Sequence, residues 1–277
     1  MTVPENPVDV DGADGFSRRR IEDARGGKPV FAGRRPFALP GRDVRFLGPA
    51  FTDTDAGNAT VQVLRWELAP AAPARPRWAL AAKRILDAFG AAFGLVVLSP
   101  VFLLAAVLVK AASPGPVLFV QPRNGKDGRK FRCCKFRTME QDAETAKPAL
   151  EGHNELNGPV FKLRRDPRVT RIGRVLRKYS VDELPQLWNV LCGDMSLVGP
   201  RPLPVEETAS LTPAQRRRLS VKPGVTGLWQ VSGRSAIPDF NRWVELDLEY
   251  VDNWSLLFDL KILLKTLPAV ISARGAW

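Results

Sequence analysis

Residues 83–110 read KRILDAFGAAFGLVVLSPVFLLAAVLVK. From Ile85 to Val109 this is an apolar run of about 25 residues with Asp87 as its sole charge, against the roughly 20 residues that a helix needs to cross a bilayer. Ser99-Pro100 divides the run into parts of about 14 and about 9 residues, each shorter than a span. An interior proline removes a helical hydrogen bond and kinks the chain. Basic residues flank both ends: Arg75, Arg77, Lys83 and Arg84 before, then Lys110, Arg123, Lys126, Arg129 and Lys130 after. Cations favour the cytoplasmic side of a membrane, and a helix that enters and turns back keeps both flanks there. The pattern therefore predicts a re-entrant membrane helix over residues 80–112. A kinked single span and a buried core helix are the alternatives that length and charge leave open.

Before this segment, residues 1–79 are rich in Pro, Gly, Asp and Arg. Only Val44–Leu47 and Val61–Leu68 look strand-like, so the region reads as a mostly disordered extension. The opening MTVPENPVDVDGADGFSRRR has no apolar stretch behind a basic start, so no cleavable secretory signal is expected, and the chain is expected in the cytoplasm or on its membrane.

After it, the runs Val117–Gln121 and Lys130–Phe136 flank Asn124-Gly125 and Asp127-Gly128, the signature of a β-hairpin. The many cations of the second run suit a solvated edge strand. Residues 140–165 look like a loop or irregular helix. In DPRVTRIGRVLRKYSVDELPQLWNVLCGDMSLVGPRP (166–202), Leu184, Leu187, Trp188 and Leu191 fall on one helix face, and Gly193 supplies a stop. Ser180-Val181-Asp182-Glu183 fits a capping box, in which Glu183 reaches back to the Ser180 amide and Asp182 complements the helix dipole. That is the plain structural reading of the two carboxylates. VKPGVTGLWQVSGRS (221–235) reads as a Gly-punctuated loop and FNRWVELDLEYV (240–251) as a helix. The apolar tail from Trp254 is broken by Asp259, Lys261, Lys265 and Pro268. It suits an interfacial helix with Trp254 near the headgroups, a buried core helix being the alternative. The expected fold is an α-rich α+β chain: the re-entrant helix, then a compact helical domain over 113–277 with a small β-hairpin.

Composition narrows the chemistry. With 41 Lys and Arg against 29 Asp and Glu, the net charge is +12, which favours an anionic partner. Cys133, Cys134 and Cys192 have the wrong number and spacing for a zinc site and read as reduced packing thiols. His153 is the only histidine, which leaves no Ser-His triad or histidine cage. Carboxylates, lysines, cysteines and hydroxyls remain for acid, base or nucleophile work.

Taken in order, KRILD, LSP, QPRNGKDGRKF, KFRTM, LRKYSVDELPQLWNVLCGDMSLVGPRP, VKPGVTGLWQVSGR and ELDLEYV resemble the bacterial sugar transferases, the monotopic polyprenyl-phosphate phosphoglycosyl transferases, and among them the exopolysaccharide-initiating members. The resemblance implies a helix broken at Ser99-Pro100 and anchored by Lys83 and Arg84. It implies a catalytic dyad at Asp182 and Glu183, with Asp182 as nucleophile and Glu183 as Mg²⁺ ligand, and puts the family's basic positions at Lys135, Arg177 and Arg201. The implied substrates are a UDP-sugar and undecaprenyl phosphate, with UMP released, on the cytoplasmic face of the bacterial inner membrane among anionic lipids. Longer relatives add N-terminal transmembrane helices and a nucleotide-binding-like module; this sequence looks like the small catalytic core with a polar extension.

The residue types suit that chemistry. A diphosphate approached by two carboxylates meets strong repulsion unless cations offset it, and Arg makes forked contacts to phosphate. Pro200 and Pro202 would hold the backbone around Arg201. Three rivals predict otherwise. A membrane scaffold has no need of paired carboxylates among cations, and a nucleic-acid binder has no need of the apolar segment, so no nucleic acid is expected. A transferase moving sugar without phosphate would release UDP. The sequence assigns neither the sugar nor an oligomeric state.

Overall fold

Helix α1 (Arg77–Val97) and helix α2 (Ser99–Ala112) meet at Leu98 with a bend of 62° in the computed structural model, which describes residues 74–273 and Gly275. Both strand-like patches of the N-terminal extension lie outside the described residues, and α1 begins at Arg77, inside the stretch read as extension. The bend has a local cause. Pro100 sits in the first turn of α2, where its missing N–H costs nothing, and the Ser99 hydroxyl donates to the Val96 carbonyl at 2.8 Å. No single described helix is long and apolar enough to cross a membrane; the bent pair together meets that test. Phe89, Phe93, Val96 and Leu103 are each about 70% exposed, which excludes the buried-core alternative.

The inner face of α1 is different. A Cβ on Gly90 would lie 2.6 Å from Leu197 Cδ1, so the helix packs closely on the domain. Asp87, buried, accepts from the Leu197 amide at 2.9 Å and the Ser196 hydroxyl at 3.1 Å. Lys83 donates to the Val198 carbonyl and to Asp259 at 2.7 Å. Arg84 donates to the Val190 and Leu191 carbonyls at 2.6 and 2.7 Å. The heads of Lys83 and Arg84, placed by sequence at the membrane interface, thus rest on the protein.

Strands β1 (Leu118–Asn124) and β2 (Lys130–Phe136) form the expected antiparallel hairpin, with β1 running three residues further than anticipated. The chain continues through the single-turn helix α3 (Lys147–Leu150), α4 (Arg171–Lys178), a 3₁₀ turn (Val181–Glu183) and α5 (Gln186–Cys192), which Gly193 stops at φ +94°. Leu187 and Val190 of α5 join Ala91, Cys133 and Met195 in one core cluster; Ala105, Val109, Phe136 and Leu176 form another. The apolar face expected for α5 is corrected: Trp188 is 57% exposed, and Gln186 and Asn189 are buried in its stead. Asn189 earns its place by holding the hairpin, donating to Arg132 O at 2.7 Å and accepting from Cys134 N.

A second sheet was not anticipated. Strand β3 (Ser196–Val198) pairs in parallel with β4 (Gly224–Thr226), with α6 (Val205–Ala209) and α7 (Pro213–Arg216) between them. The segment read as a Gly-punctuated loop is therefore β4 followed by the helical turn α8 (Leu228–Val231). A Cβ on Gly224 would sit 2.0 Å from Gly199 N; the glycines allow two backbones to touch. Helix α9 (Phe240–Asn253) is buried along one side, and its Tyr250 hydroxyl meets Val198 O and Asp259 at 2.9 and 2.8 Å. Helix α10 (Leu256–Ile271) turns Phe258, Asp259 and Ile262 inward and leaves Leu260, Leu264 and Leu267 exposed. Trp254, expected at the headgroups, donates to Asp259 at 3.1 Å and lies under the Arg75 guanidinium.

Candidate functional site

Asp182 and Glu183 sit in the 3₁₀ turn between α4 and α5, and the capping box expected there is absent. Ser180 adopts the left-handed conformation (φ 55°), and its side chain caps nothing; it accepts instead from Arg234 Nη1 at 3.0 Å. A non-glycine residue in that region is uncommon. Here it reverses the chain after α4, so that both carboxylates face a cavity of about 370 Å³. Glu183, meant to reach back to the Ser180 amide, meets Arg201 Nη1 at 2.7 Å.

Every expected chemical residue lines this cavity: Lys135 from β2, Arg177 from α4, Asp182, Glu183 and Arg201. Arg177 is steadied by Nε donating to the Thr138 hydroxyl at 2.9 Å. Sequence reading missed the apparatus around Arg201. The four successive carbonyls from Pro200 to Leu203 each accept a hydrogen bond: Pro200 from Gly224 N, Arg201 from Arg218 Nη2 at 3.0 Å, Pro202 from Arg123 Nη1, and Leu203 from Asn124 N. Arg218 is itself held in a buried ion pair with Asp247. The prolines thus contribute stiffness to a loop that long-range contacts have already fixed. Lys162, Glu207, Gln230 and Arg234 also line the cavity and went unremarked. Arg234 meets Ser180 across the fold, and no local spacing marks any of the four.

The electrostatics separate the two carboxylates. Burial, reinforced by the neighbouring Glu183, raises Asp182 to about 6 despite Arg177 and Lys135. Burial also pushes Glu183 up, but Arg201 outweighs it and holds the group below the ordinary range. Burial brings Lys135 down to about 8 and Lys162 to about 7, with Arg neighbours adding to both. Paired groups pushed apart in this way are a common mark of a reactive site. Near neutral pH Asp182 is a carboxylate without a direct ion-pair partner among the described residues, which suits a nucleophile, while Glu183 is neutralised by Arg201.

A family model for bacterial sugar transferases matches residues 78–273. This chain belongs to the bacterial sugar transferase family. The galactosyl transferase CpsE of Streptococcus agalactiae serotype III is 50% identical over 197 residues, which cover 71% of this chain and 44% of that protein. The exopolysaccharide production protein ExoY of Rhizobium meliloti is 44% identical over 203 residues, 71% of this chain and 88% of its own length. The UDP-glucose:undecaprenyl-phosphate glucose-1-phosphate transferase of Caulobacter vibrioides is 41% identical, covering 70% of this chain and 72% of that protein. The chain therefore spans less than half of the streptococcal relative and most of the rhizobial one. The matched region contains the bent helix pair from residue 78 onward and every residue that lines the cavity except Gly275.

Proposed function

We propose that the chain transfers a sugar 1-phosphate from a UDP-sugar to undecaprenyl phosphate, at the cytoplasmic face of the bacterial inner membrane, as the first step of exopolysaccharide or other surface glycan assembly. One observation carries the reading: an ion-paired Glu183 and a buried Asp182, without a direct ion pair among the described residues, share one cavity with Lys135, Arg177 and Arg201. The relatives' names support the substrates, since the Caulobacter protein acts on UDP-glucose and undecaprenyl phosphate and the streptococcal one is a galactosyl transferase. UDP-glucose and UDP-galactose are the leading donors.

In this reading an Asp182 carboxylate oxygen attacks the sugar-linked phosphorus. The bond from that phosphorus to the bridging oxygen breaks, UMP departs, and a phosphosugar remains on Asp182 as an acyl phosphate. An oxygen of the lipid phosphate then attacks the same phosphorus and restores the Asp182 carboxylate. Arg201, Arg177 and Lys135 bind the diphosphate oxygens and offset their charge. Mg²⁺ fits the donor set as a partly substrate-held ion. Among the described residues no cluster of three or more His, Cys, Asp or Glu exists, and Mg²⁺ generally takes one or two carboxylates and completes its shell with phosphate and water. Glu183, beside Asp182, would hold it, and when bound it would neutralise diphosphate charge.

The bent α1–α2 pair, with its apolar outer face, would enter the membrane and return, setting the cavity at the depth of a lipid phosphate. Lys83 and Arg84 would serve by fixing α1 to the domain, and anionic lipids would meet the basic flanks. The test is to incubate purified protein with a panel of UDP-sugars, undecaprenyl phosphate and Mg²⁺, then identify lipid and nucleotide by mass. A polyprenyl diphosphosugar with UMP is the expected pair. A lipid monophosphosugar with UDP would make the chain a plain glycosyl transferase.

A further inference from the structure

The cavity has a second wall that the phosphate chemistry does not use. Gln230, on α8, is 6% exposed, yet among the described residues neither its Nε2 nor its Oε1 has a hydrogen-bond partner. Beside it the Trp229 indole N–H is equally unpartnered. The local fold makes room for the amide: a Cβ on Gly227 would come within 2.8 Å of Gln230 Oε1. A buried primary amide with both ends unpaired is costly, and most buried polar groups are paired in native structures. Such a group is retained at little net cost where a ligand supplies the missing partners.

The position of this wall indicates which part of a ligand it meets. The Trp229 ring lies 5.8 Å from the Arg201 guanidinium, which marks the phosphate end, and 4.1 Å from the Trp243 ring. Val225, Trp229, Trp243 and Val270 give the cavity an apolar and aromatic flank. That flank suits a flat heterocycle better than a polyol. A planar amide with one free donor set and one free acceptor matches a planar edge offering one of each side by side, as N3–H and O4 of uracil do. We propose that Gln230 recognises the hydrogen-bonding edge of the uracil base, and so fixes the nucleotide half of the donor while Arg201 and its neighbours hold the diphosphate. This rests on the reading that the donor is a UDP-sugar.

The test is a binding cycle on the full chain with UMP and N3-methyl-UMP as probes, comparing wild type with Gln230→Leu by calorimetry, alongside melting curves. UMP affinity should fall about tenfold or more in Gln230→Leu, as expected for two lost hydrogen bonds of about 0.7 kcal/mol or more each. N3-methyl-UMP should bind wild type weakly and the variant no more weakly still. The variant should melt no lower than wild type, because it loses a buried amide without partners. Equal UMP affinity in the two proteins would overturn the assignment. A variant that keeps UMP affinity but changes its choice among UDP-sugars would move Gln230 to the sugar, and a lowered melting point with intact binding would make it structural. Wild type that binds no UMP at all would instead contradict the UDP-sugar reading itself.

Discussion

Arg201 is positioned through its backbone, which Arg218 holds at its carbonyl. Because Arg218 holds the Arg201 carbonyl and is itself paired with buried Asp247, removing one partner should unsettle both stability and catalysis. Breaking a buried ion pair costs about 3–5 kcal/mol, so Asp247→Asn should lower unfolding stability by nearly that in urea titrations and reduce kcat/KM as well. The pH dependence follows from the carboxylate and the lysine. In the proposed mechanism Asp182 must be ionised to attack and has its proton held to about 6, while Lys135 must be charged to bind phosphate and loses its proton at about 8. The kcat/KM profile should therefore rise through about 6 and fall through about 8, since it reports the free enzyme. Stability has the opposite slope for Asp182. A carboxyl whose folded value is raised contributes stability below its unfolded value that is lost as pH rises from about 4 to about 6. With a shift of roughly two units, Asp182→Asn should be more stable than wild type at pH 7, by on the order of 1–3 kcal/mol. Sequence motifs marked Asp182, Glu183, Lys135, Arg177 and Arg201. They could not mark Arg123, Arg218 or Asp247, which hold the Arg201 loop through contacts across the fold, nor Gln230, whose amide has no partner among the described residues.

At the scale of elements, the hairpin was legible because strand propensity and turn residues agreed over seven-residue strands. The β3–β4 pair was not, because strands of three residues have no readable period and the glycines in and beside them, Gly199, Gly224 and Gly227, resemble a loop. The capping box failed for a related reason: Ser-x-x-Glu specifies a helix start only where Ser180 adopts extended dihedrals, and here it is left-handed. The break at Ser99-Pro100 was read correctly from proline chemistry. Its topological consequence can be checked with single cysteines at Trp78, in the first turn of α1, and at Lys126, beyond α2, both exposed. In spheroplasts and inverted vesicles, an impermeant maleimide should label both from the cytoplasmic side only. Labelling from opposite faces would establish a kinked span. Pro100→Ala should straighten the pair, because it restores the missing backbone donor.

For the whole molecule, the exposed apolar residues of α1, α2 and α10 need a solvent other than water. In the proposed placement the bent pair is the deeper anchor and α10 the shallower, so Leu260→Ser with Leu264→Ser and Leu267→Ser should weaken liposome binding about tenfold or more without abolishing it. Complete loss would reverse the order of the two anchors. The alternation of charge with apolar residues along the tail made its amphipathic character readable, but the inward anchoring of Asp259 by Lys83, Tyr250 and Trp254 was not. All of these features serve one claim, that a membrane-held carboxylate transiently carries the phosphosugar. The most direct measurement is intact and peptide mass spectrometry of protein incubated with UDP-sugar and Mg²⁺ but no lipid. Up to one equivalent of UMP and a phosphosugar mass on the Asp182 peptide, absent from Asp182→Asn, are predicted; UMP release that strictly requires undecaprenyl phosphate, or an active Asp182→Asn, would contradict the account and point to direct attack by the lipid.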